Sequence, residues 1–451
     1  MRTTLAMLCV LGTSLIGFSQ DKNFDLSRYK FPDYKRHEME LNFNSSGRSN
    51  KESREVTSGA GLDSTSIQDY SNSNFNSNFS LIYQYNSLTR KQINHLTSDF
   101  SGRYDYSMEN SNGVNSKEFS PSINWNINGF KRYYVKENKF FLEGLTDLRY
   151  YIGDYKTTHT NMSDDRSRFD RLFLSIGLGA GTGRIEKVSD LWQAYYILEK
   201  LNKQQSLERE LQEKDIYEFA YLASKLKNKR FFDARLRKIA ELQALDSLLH
   251  NQGLVNNSDI SYFTTLNDYW SYGNFQDRES GSELKVRSMP EYTRNYSKSN
   301  SDSSHVSTKT SIISHISFRS TKPLNLYWDH YFNASISYEA IIEKSGMYSE
   351  NYSANPFSSN TNIGFGFFPD SRTSFSGYLG YTGQKFSMYT SPWNRPDFYR
   401  NTAYFRLTGN YYISPQLQIT GNFNLAYSDK TYQAINEIQS FYNLGLRYAI
   451  F

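Results

Sequence analysis

Hydrophobic and polar residues alternate one by one along most of this chain. Between Leu417 and Tyr427, apolar side chains take alternate positions and Gln, Thr and Asn lie between them. The run 123–128 reads Ile-Asn-Trp-Asn-Ile-Asn and shows the same period of two residues. Because successive side chains of a β-strand point to opposite faces, the pattern predicts strands with one apolar and one polar face.

This alternation marks fourteen segments of the chain. They lie at about 36–46, 76–86, 94–107, 117–128, 139–155, 168–180, 283–297, 305–320, 325–344, 355–369, 373–389, 400–413, 415–428 and 439–451. Together they predict an all-β transmembrane antiparallel β-barrel of about 14 strands, within a range of about 12 to 16. Only alternate residues of a barrel strand meet lipid, so the low mean hydropathy of −0.69 is compatible with this fold.

The links between the predicted strands differ in length on the two sides of the barrel. Short, turn-forming links follow strands eight, ten and twelve, at 321–323, 369–371 and 414–415. Links after odd-numbered strands are longer and polar, and the longest is predicted at Gly47–Asn74. Outer-membrane barrels have short periplasmic turns and long outer loops, so we expect both termini in the periplasm.

The N-terminal residues have the pattern of a secretory signal. Arg2 precedes the largely apolar run Leu5–Ile16 and the small-x-small ending Gly17–Ser19. The single cysteine, Cys9, lies inside this segment, so the mature chain is expected to have no thiol chemistry. The predicted organisation is a signal peptide at 1–19, an N-terminal periplasmic segment at 20–35, strands one to six at 36–180, an α-helical periplasmic insert at 181–282 and strands seven to fourteen at 283–451.

One block of the chain breaks the strand pattern. Across Val188–Gly253 the apolar residues fall three or four apart, which predicts α-helices. We expect Ser189–Asp190 to cap the first helix, Gly253 to end the third, and Ser258 to start a fourth that reaches Trp270. The block follows an even-numbered strand, so we expect it on the periplasmic side.

The helical insert also contains a candidate partner-binding patch. Seven basic residues lie close together with Asp233 as the single acidic residue among them. They are Lys225, Lys227, Lys229, Arg230, Arg235, Arg237 and Lys238. Such a patch could meet anionic lipid headgroups, cell-wall polymer or an acidic periplasmic protein. Acidic residues at 208–218 keep the block close to neutral, so a solvated helix face explains the same sequence.

Charged residues on the polar faces of the predicted strands are candidates for a lumen wall. They are Arg171, Arg319, Arg406, Asp329 and Glu339. Together with many Tyr, Asn and Ser residues they would line a wet lumen with a mild preference for anionic or sugar-like solutes.

The signal peptide, the alternation and the aromatic last strand resemble bacterial outer-membrane β-barrel proteins. The resemblance covers the chain outside the helical block and implies contact with outer-membrane lipid. It also implies that barrel-assembly machinery recognises the C-terminal strand, with Tyr448 and Phe451 as the candidate signal. The register departs from the family pattern, because Ala449 stands two residues before Phe451 where the family places an aromatic residue.

Motifs for catalysis, metals and cofactors are sparse. The seven histidines have no zinc-binding spacing, and His315 and His330 have no nearby catalytic partner in the sequence. The glycine-rich run 177–184 lacks phosphate-loop spacing and is predicted to bend a strand or narrow a lumen wall. Asp164–Arg166 could ligate a divalent cation, although a solvated loop tip explains it better. We expect no enzyme activity, no cofactor, no metal and no nucleic-acid partner.

Two functions remain open from the sequence. The first is a porin-like channel or transporter for small polar or anionic solutes in the Gram-negative envelope. The second is an envelope assembly or tethering protein, in which the barrel anchors helices that bind a periplasmic partner. An open lumen would favour the first function, and a closed lumen would favour the second.

Overall fold

The chain folds into one antiparallel sheet of 14 strands, with four helices inserted between the sixth and seventh strands. The computed structural model describes residues 28–57, 65–111, 114–136, 139–160, 163–229, 235–256, 258–272, 278–300, 304–345, 354–370, 372–387, 398–414, 417–430 and 435–448. None of the helices in these ranges is both long and apolar enough to cross a bilayer.

Each strand pairs with its neighbours in the sequence, so the sheet is an up-and-down meander from β1 to β14. The strands are β1 (Tyr34–Thr57), β2 (Thr65–Leu88), β3 (Gln92–Ser111), β4 (Val114–Lys136), β5 (Phe140–His159), β6 (Asp165–Lys187), β7 (Glu279–Ser299), β8 (His305–Pro323), β9 (Trp328–Ser345), β10 (Ala354–Phe367), β11 (Thr373–Ser387), β12 (Phe398–Ser414), β13 (Leu417–Lys430) and β14 (Ile435–Tyr448). All fourteen strands predicted from the alternation are present.

The pairing register separates an apolar face from a polar face. Directly opposed residues of an antiparallel pair lie on the same side of a sheet. Asn124 of β4 opposes Tyr151 of β5, which opposes Arg171 of β6, and these residues belong to the polar face. On the other face Ile176 and Leu178 are 61% and 74% exposed. A continuous exposed apolar surface of this kind suits lipid.

The sheet curls around its polar face. On a flat sheet β4 and β7 would lie roughly 14 Å apart, at about 4.8 Å per strand. Nevertheless Arg132 of β4 donates hydrogen bonds to Glu283 of β7. Across the described residues β1 and β14 are not paired with each other. The predicted fold class, an all-β transmembrane antiparallel barrel with an α-helical insert, is confirmed by this architecture.

The predicted long loop at Gly47–Asn74 is wrong, because most of it belongs to a hairpin. β1 and β2 remain paired from Tyr34 opposite Leu88 to Thr57 opposite Thr65. Ser and Asn occupy both faces of this outer part, so a hydrophobic period cannot reveal it. In this outer part the two strands are held together by backbone hydrogen bonds, and neither face of the hairpin is apolar. Strands β1 to β7 have 20 to 24 residues, more than the roughly 9–11 that cross a bilayer.

The helical block contains the four predicted helices. They are α1 (Ser189–Lys203), α2 (Glu213–Lys227), α3 (Arg235–Asn251) and α4 (Ile260–Tyr272). The insert is shorter than the predicted 181–282, because β6 continues to Lys187 and β7 begins at Glu279. We call the end of the sheet that carries this block and the β2–β3, β8–β9 and β10–β11 turns the turn end.

Three of the helix ends were predicted from the sequence, with different outcomes. The prediction that Ser258 starts α4 is wrong, because α4 begins at Ile260 and the Asp259 side chain accepts a hydrogen bond from the backbone N–H of Tyr262, at 2.7 Å. Gly253, with φ +64°, follows α3, and hydrogen bonds from Gly253 to His250 and from Leu254 to Leu249 close a Schellman motif. The capping prediction for Ser189–Asp190 is wrong, because Val188 is the N-cap of α1. The Ser189 hydroxyl instead accepts a hydrogen bond from the backbone N–H of Arg278, at 2.8 Å.

The hydrophobic core lies between the helices and the turn end of the sheet. Trp192, Phe219 and Leu245 of the helices are almost completely buried. Phe31 of the N-terminal segment and Phe368 of the β10–β11 turn belong to the same cluster. Burying each such side chain contributes about 1.5–3 kcal/mol. The helical block is therefore packed onto the barrel and is not a separate module.

Candidate functional site: a polar interior closed at one end

Residues of β1 to β7, most of them on the polar face, line an open cavity of about 1140 Å³. Its described wall residues include Arg103, Arg149 and Arg171, many Asn and Ser, and neither Asp nor Glu. Arg103 and Arg149 each pair with an aspartate two residues away on the same strand, Asp105 at 2.6 Å and Asp147 at 2.9 Å. Within the described part of the chain, Arg171 has no ion-pair partner. Of the three wall arginines, Arg171 is therefore the one available to pair with an anion.

A stacked aromatic pair forms a flat part of the same wall. The rings of Tyr151 and Phe169 have centroids 5.5 Å apart and planes inclined by 22°. Gly153 lies directly opposite Phe169, and a Cβ atom at Gly153 would stand 2.7 Å from that ring. Glycine at this position therefore allows the Phe169 ring to lie against the neighbouring strand.

Glycines of β6 make room for large side chains in the interior below this cavity. A Cβ atom at Gly177 would lie 2.6 Å from Met289, and one at Gly181 would lie 2.3 Å from the Phe141 ring. The side chains of β5 and β7 consequently approach each other across β6. Glycines of the 177–184 run thus leave space on the polar face for these side chains.

Four charged residues form a belt along the polar faces of β4, β5 and β7, nearer the turn end. Arg132 donates to Glu143 at 2.7 Å and also to Glu283, while Arg287 donates to Glu143 at 2.6 Å. The side chains of Arg132, Glu143 and Glu283 are at most 8% exposed. Buried charges require partners, and this charged belt supplies them with equal numbers of both signs. The belt therefore lies along one wall of the interior, on β4, β5 and β7, and passes over the glycines of β6.

A buried ion pair between the residue that precedes β7 and a residue of β9 lies under α1, below the belt. Arg278 donates from Nε to Asp329 at 2.9 Å and from Nη1 to the Leu326 carbonyl at 2.7 Å. Both charged side chains are 0% exposed. The guanidinium also lies 5.5 Å from the Trp192 ring centroid and 4.7 Å from that of Phe368. These contacts hold α1 over the turn end of the sheet.

The N-terminal segment is held against α2 by a second buried network. The Tyr29 hydroxyl hydrogen-bonds with Ser224 at 2.8 Å, and Ser224 donates to Asp190. Lys227 donates to the other oxygen of Asp190 at 2.6 Å. Burial raises the pKa of the Tyr29 phenol well above its usual range, so Tyr29 remains a hydrogen-bond donor. Lys227 thus belongs to the interior of the block and not to an open surface.

The remaining residues of the predicted basic patch are placed as follows. Lys225 is exposed and lies 4.4 Å from the centroid of the Tyr221 ring. Arg237 donates to the backbone carbonyl of Lys229 at 2.9 Å. Lys229 is exposed and Lys238 is half-buried. Arg230 and the side chain of Arg235 lie outside the described residues.

All five residues predicted for the lumen wall share the polar face. They are Arg171, Arg319, Arg406, Asp329 and Glu339. Arg171 lines the large cavity, and Arg319 lines a second cavity of about 340 Å³ with Tyr331 and Tyr378. Glu339 is ion-paired with Lys309. Asp329 is buried under the helical block, so it is no free wall charge.

The C-terminal strand ends on the apolar face. Tyr448 opposes Leu417 of β13 and is 57% exposed. Phe451, the other residue of the predicted assembly signal, lies outside the described residues.

The other candidate sites are occupied by internal contacts. Asp164 pairs with Lys156 at 3.0 Å, and Arg166 pairs with Asp154. In the described ranges no group of three His, Cys, Asp or Glu residues is arranged to hold a metal ion. His315 lies on the polar face opposite Arg287, and His330 lies on the apolar face.

A Ser-His-Asp cluster that the sequence did not predict lies between α3 and α4. The Ser258 hydroxyl is 3.0 Å from Nε2 of His250, and an oxygen of Asp246 is 3.5 Å from the same nitrogen. A catalytic triad has its carboxylate on the opposite ring nitrogen. The cluster therefore joins the two helices without the geometry of a triad.

Sequence reasoning also missed the charged belt and two of the cavity arginines. Arg103 and Arg149 occupy alternate positions that belong to the polar faces of β3 and β5, so the alternation in the sequence could have identified them. The belt carried no comparable signal, because Arg132 and Glu283 are 151 residues apart in the sequence. Their contact depends on the curvature of the sheet.

No family model and no curated protein matches this sequence. Among solved structures the chain is similar to the ferric yersiniabactin uptake receptor FyuA from Yersinia pestis, with TM-score 0.38 and 8% identity, covering 88% of this chain and 59% of that chain. It is also similar to a TodX monoaromatic hydrocarbon channel mutant, with TM-score 0.28 and 8% identity, covering 92% of this chain and 89% of that chain. A third similar structure is the translocator domain of autotransporter NalP from Neisseria meningitidis, with TM-score 0.26 and 9% identity, covering 84% of this chain and 91% of that chain.

The class of the protein follows from its own fold. An up-and-down antiparallel sheet with a lipid-type apolar face and a curled polar face is the architecture of a bacterial outer-membrane β-barrel. The chain spans about 59% of the length of the FyuA receptor, and the solved structures above are similar to it at low scores only.

Proposed function

We propose that this protein is an outer-membrane channel or transporter for small polar or anionic solutes, with both termini in the periplasm. The arginine-lined cavity inside a sheet with an apolar outer face supports this function. Side chains of Arg, Asn and Ser can replace the water molecules around a polar solute, while the outer face remains in lipid. Short turns at the end that carries the termini support the orientation.

We infer that the helical block closes the route through the barrel at the turn end. The helical block packs on the turn end together with Phe31 and Phe368, and the charged belt narrows one wall above it. Passage of a solute therefore requires the block to move. We propose that the helical block is the gate of the channel.

Recordings in planar lipid bilayers test this function. We expect the full chain to give stepwise currents that favour anions, and we expect Arg171→Glu to reduce that preference. Arg168→Glu is the matched control, since Arg168 lies three residues away on the opposite face of β6. Charge reversal at Arg406 should also lower anion preference. If the folded protein carries no current at any voltage, with or without the Arg278–Asp329 pair, the channel function is rejected.

A second function, envelope tethering, is favoured by apolar side chains on the open surface of the helical block. Ile239 is 73% exposed and Ile260 is 87% exposed. If these residues bind a periplasmic protein, Ile239→Asp with Ile260→Asp should remove co-purifying components and leave bilayer currents unchanged. Unchanged co-purification in the double variant would reject this alternative.

A further inference from the structure

The electrostatics of the large cavity favour a ligand with a single negative charge. Arg103 and Arg149 are each neutralised by an aspartate on their own strand, whereas Arg171 contributes its charge without a partner among the described residues. A guanidinium binds a carboxylate through two parallel hydrogen bonds, which fixes the orientation of the ligand. A doubly charged group would leave one of its charges uncompensated in this cavity.

The rest of the wall favours a ligand with many hydroxyl groups and one apolar face. Six asparagines and three serines of the polar face line the cavity and can donate to or accept from hydroxyl groups. The stacked rings of Tyr151 and Phe169 offer a flat apolar surface in the same wall. The C–H face of a sugar ring can pack on such a surface, while its hydroxyl groups point to the polar residues.

These features lie close enough to act on one molecule. Arg171 opposes Tyr151 directly across the β5–β6 pair, and Phe169 precedes Arg171 by two residues on the same face of β6. Two positions along a strand correspond to roughly 6.6 Å, about the width of a sugar ring. The cavity has ample room for a monosaccharide with its water.

We propose that this cavity binds a sugar acid of the hexuronate type. Its carboxylate pairs with Arg171, its ring packs on Tyr151 and Phe169, and its hydroxyl groups bond to the surrounding amides and hydroxyls. The proposal rests on the channel function and names the class of solute that the channel selects.

Calorimetric titration of the full chain in detergent micelles tests this proposal without requiring an open pore. The probes are glucuronate, glucose, acetate and glucose 6-phosphate. We expect glucuronate to bind at least about tenfold more tightly than each of the other three. Arg171→Gln should weaken glucuronate about tenfold and leave glucose unchanged, whereas Phe169→Ala should weaken both sugars equally. Arg168→Gln, on the opposite face, should change neither.

Each outcome bears on one part of the proposal. Equal binding of acetate and glucuronate overturns it, because the cavity would then hold any small anion. Tighter binding of glucose 6-phosphate overturns the choice of a carboxylate. Bilayer currents without glucuronate binding overturn the solute class and leave the channel function intact. Glucuronate binding without currents supports the site and rejects the channel. Heat-modifiable migration on gels verifies that every variant is folded.

Discussion

Replacing Asp329 with asparagine tests whether the buried ion pair holds the helical block on the barrel. The substitution preserves the size of the side chain and removes its charge. Arg278 would then keep its hydrogen bond to the Leu326 carbonyl at 2.7 Å and lose its carboxylate partner. Both side chains are 0% exposed, so water cannot replace the lost partner without local opening.

The expected cost follows from this burial. Removing one partner of a fully buried ion pair costs about 3–5 kcal/mol, because the other charge remains desolvated. Since about 1.4 kcal/mol corresponds to a factor of ten, the population with an undocked helical block should rise roughly a hundredfold to a few thousandfold. The Trp192 and Phe368 contacts of Arg278 would weaken together with docking.

Hydrogen–deuterium exchange of the α1 amides measures the undocked population directly. We expect α1 of the Asp329→Asn protein to exchange faster by the factor above. Glu279→Gln is the matched control, since it removes a carboxylate from Arg319, whose side chain is 54% exposed, and such pairs contribute less than about 1 kcal/mol. Equal exchange in the two variants would refute the conclusion that this pair locks the block.

Three further predictions concern the helical block and the edges of the sheet. Gln205 follows α1 with φ +60°, a left-handed conformation that glycine adopts without strain. Gln205→Gly should therefore stabilise the helical block by about 1 kcal/mol, measured by hydrogen exchange at increasing urea concentration, and a loss of stability would contradict this. Hydrogen bonds from Arg209 hold the pKa of Asp215 below its usual range. The ionised Asp215 therefore stabilises the folded state at pH values above the usual pKa of an aspartate, and this contribution is lost as the pH falls through the lowered pKa. Asp215→Asn should then make hydrogen exchange of the α2 amides less dependent on pH in the acid range. Strand edges cannot remain unpaired in lipid, so β1 and β14 should close the barrel. To test this, one cysteine is placed at Met39 or Leu41 and a second at Leu444 or Leu446, and at least one of these pairs should cross-link on mild oxidation. A control pair at Asn42 and Leu444 should not cross-link, because the two residues lie on opposite faces. If none of the test pairs cross-links, the barrel is not closed by β1 and β14.

The strands could be predicted from the sequence wherever one face meets lipid. Alternation at 123–128 and at Leu417–Tyr427 predicted β4 and β13, because a period of two is imposed by the apolar face. The outer half of the β1–β2 hairpin could not be predicted in this way, because both of its faces are polar. Its strand structure comes from backbone pairing, which leaves no hydrophobic period.

The helical block shows the same division. Apolar spacing predicted four helices, and Gly253 marked the end of α3 through its left-handed backbone. The number of basic residues suggested one surface patch, but the fold directs Lys227 inward to Asp190. Composition cannot distinguish a lysine that solvates a helix from one that pairs with a buried carboxylate.

The sequence by itself determined the fold class, the number of strands and the place of the helical insert. These follow from local periodicity, which each segment carries independently of the others. The tertiary structure decided which charges meet: Arg132 with Glu283, and Arg278 with Asp329. Whether two such residues meet depends on the pairing register of every strand between them. It also depends on the curvature of the sheet, which brings distant strands together. Neither quantity is encoded in any single segment, so the closed turn end and the arginine-lined cavity became visible only in the folded chain.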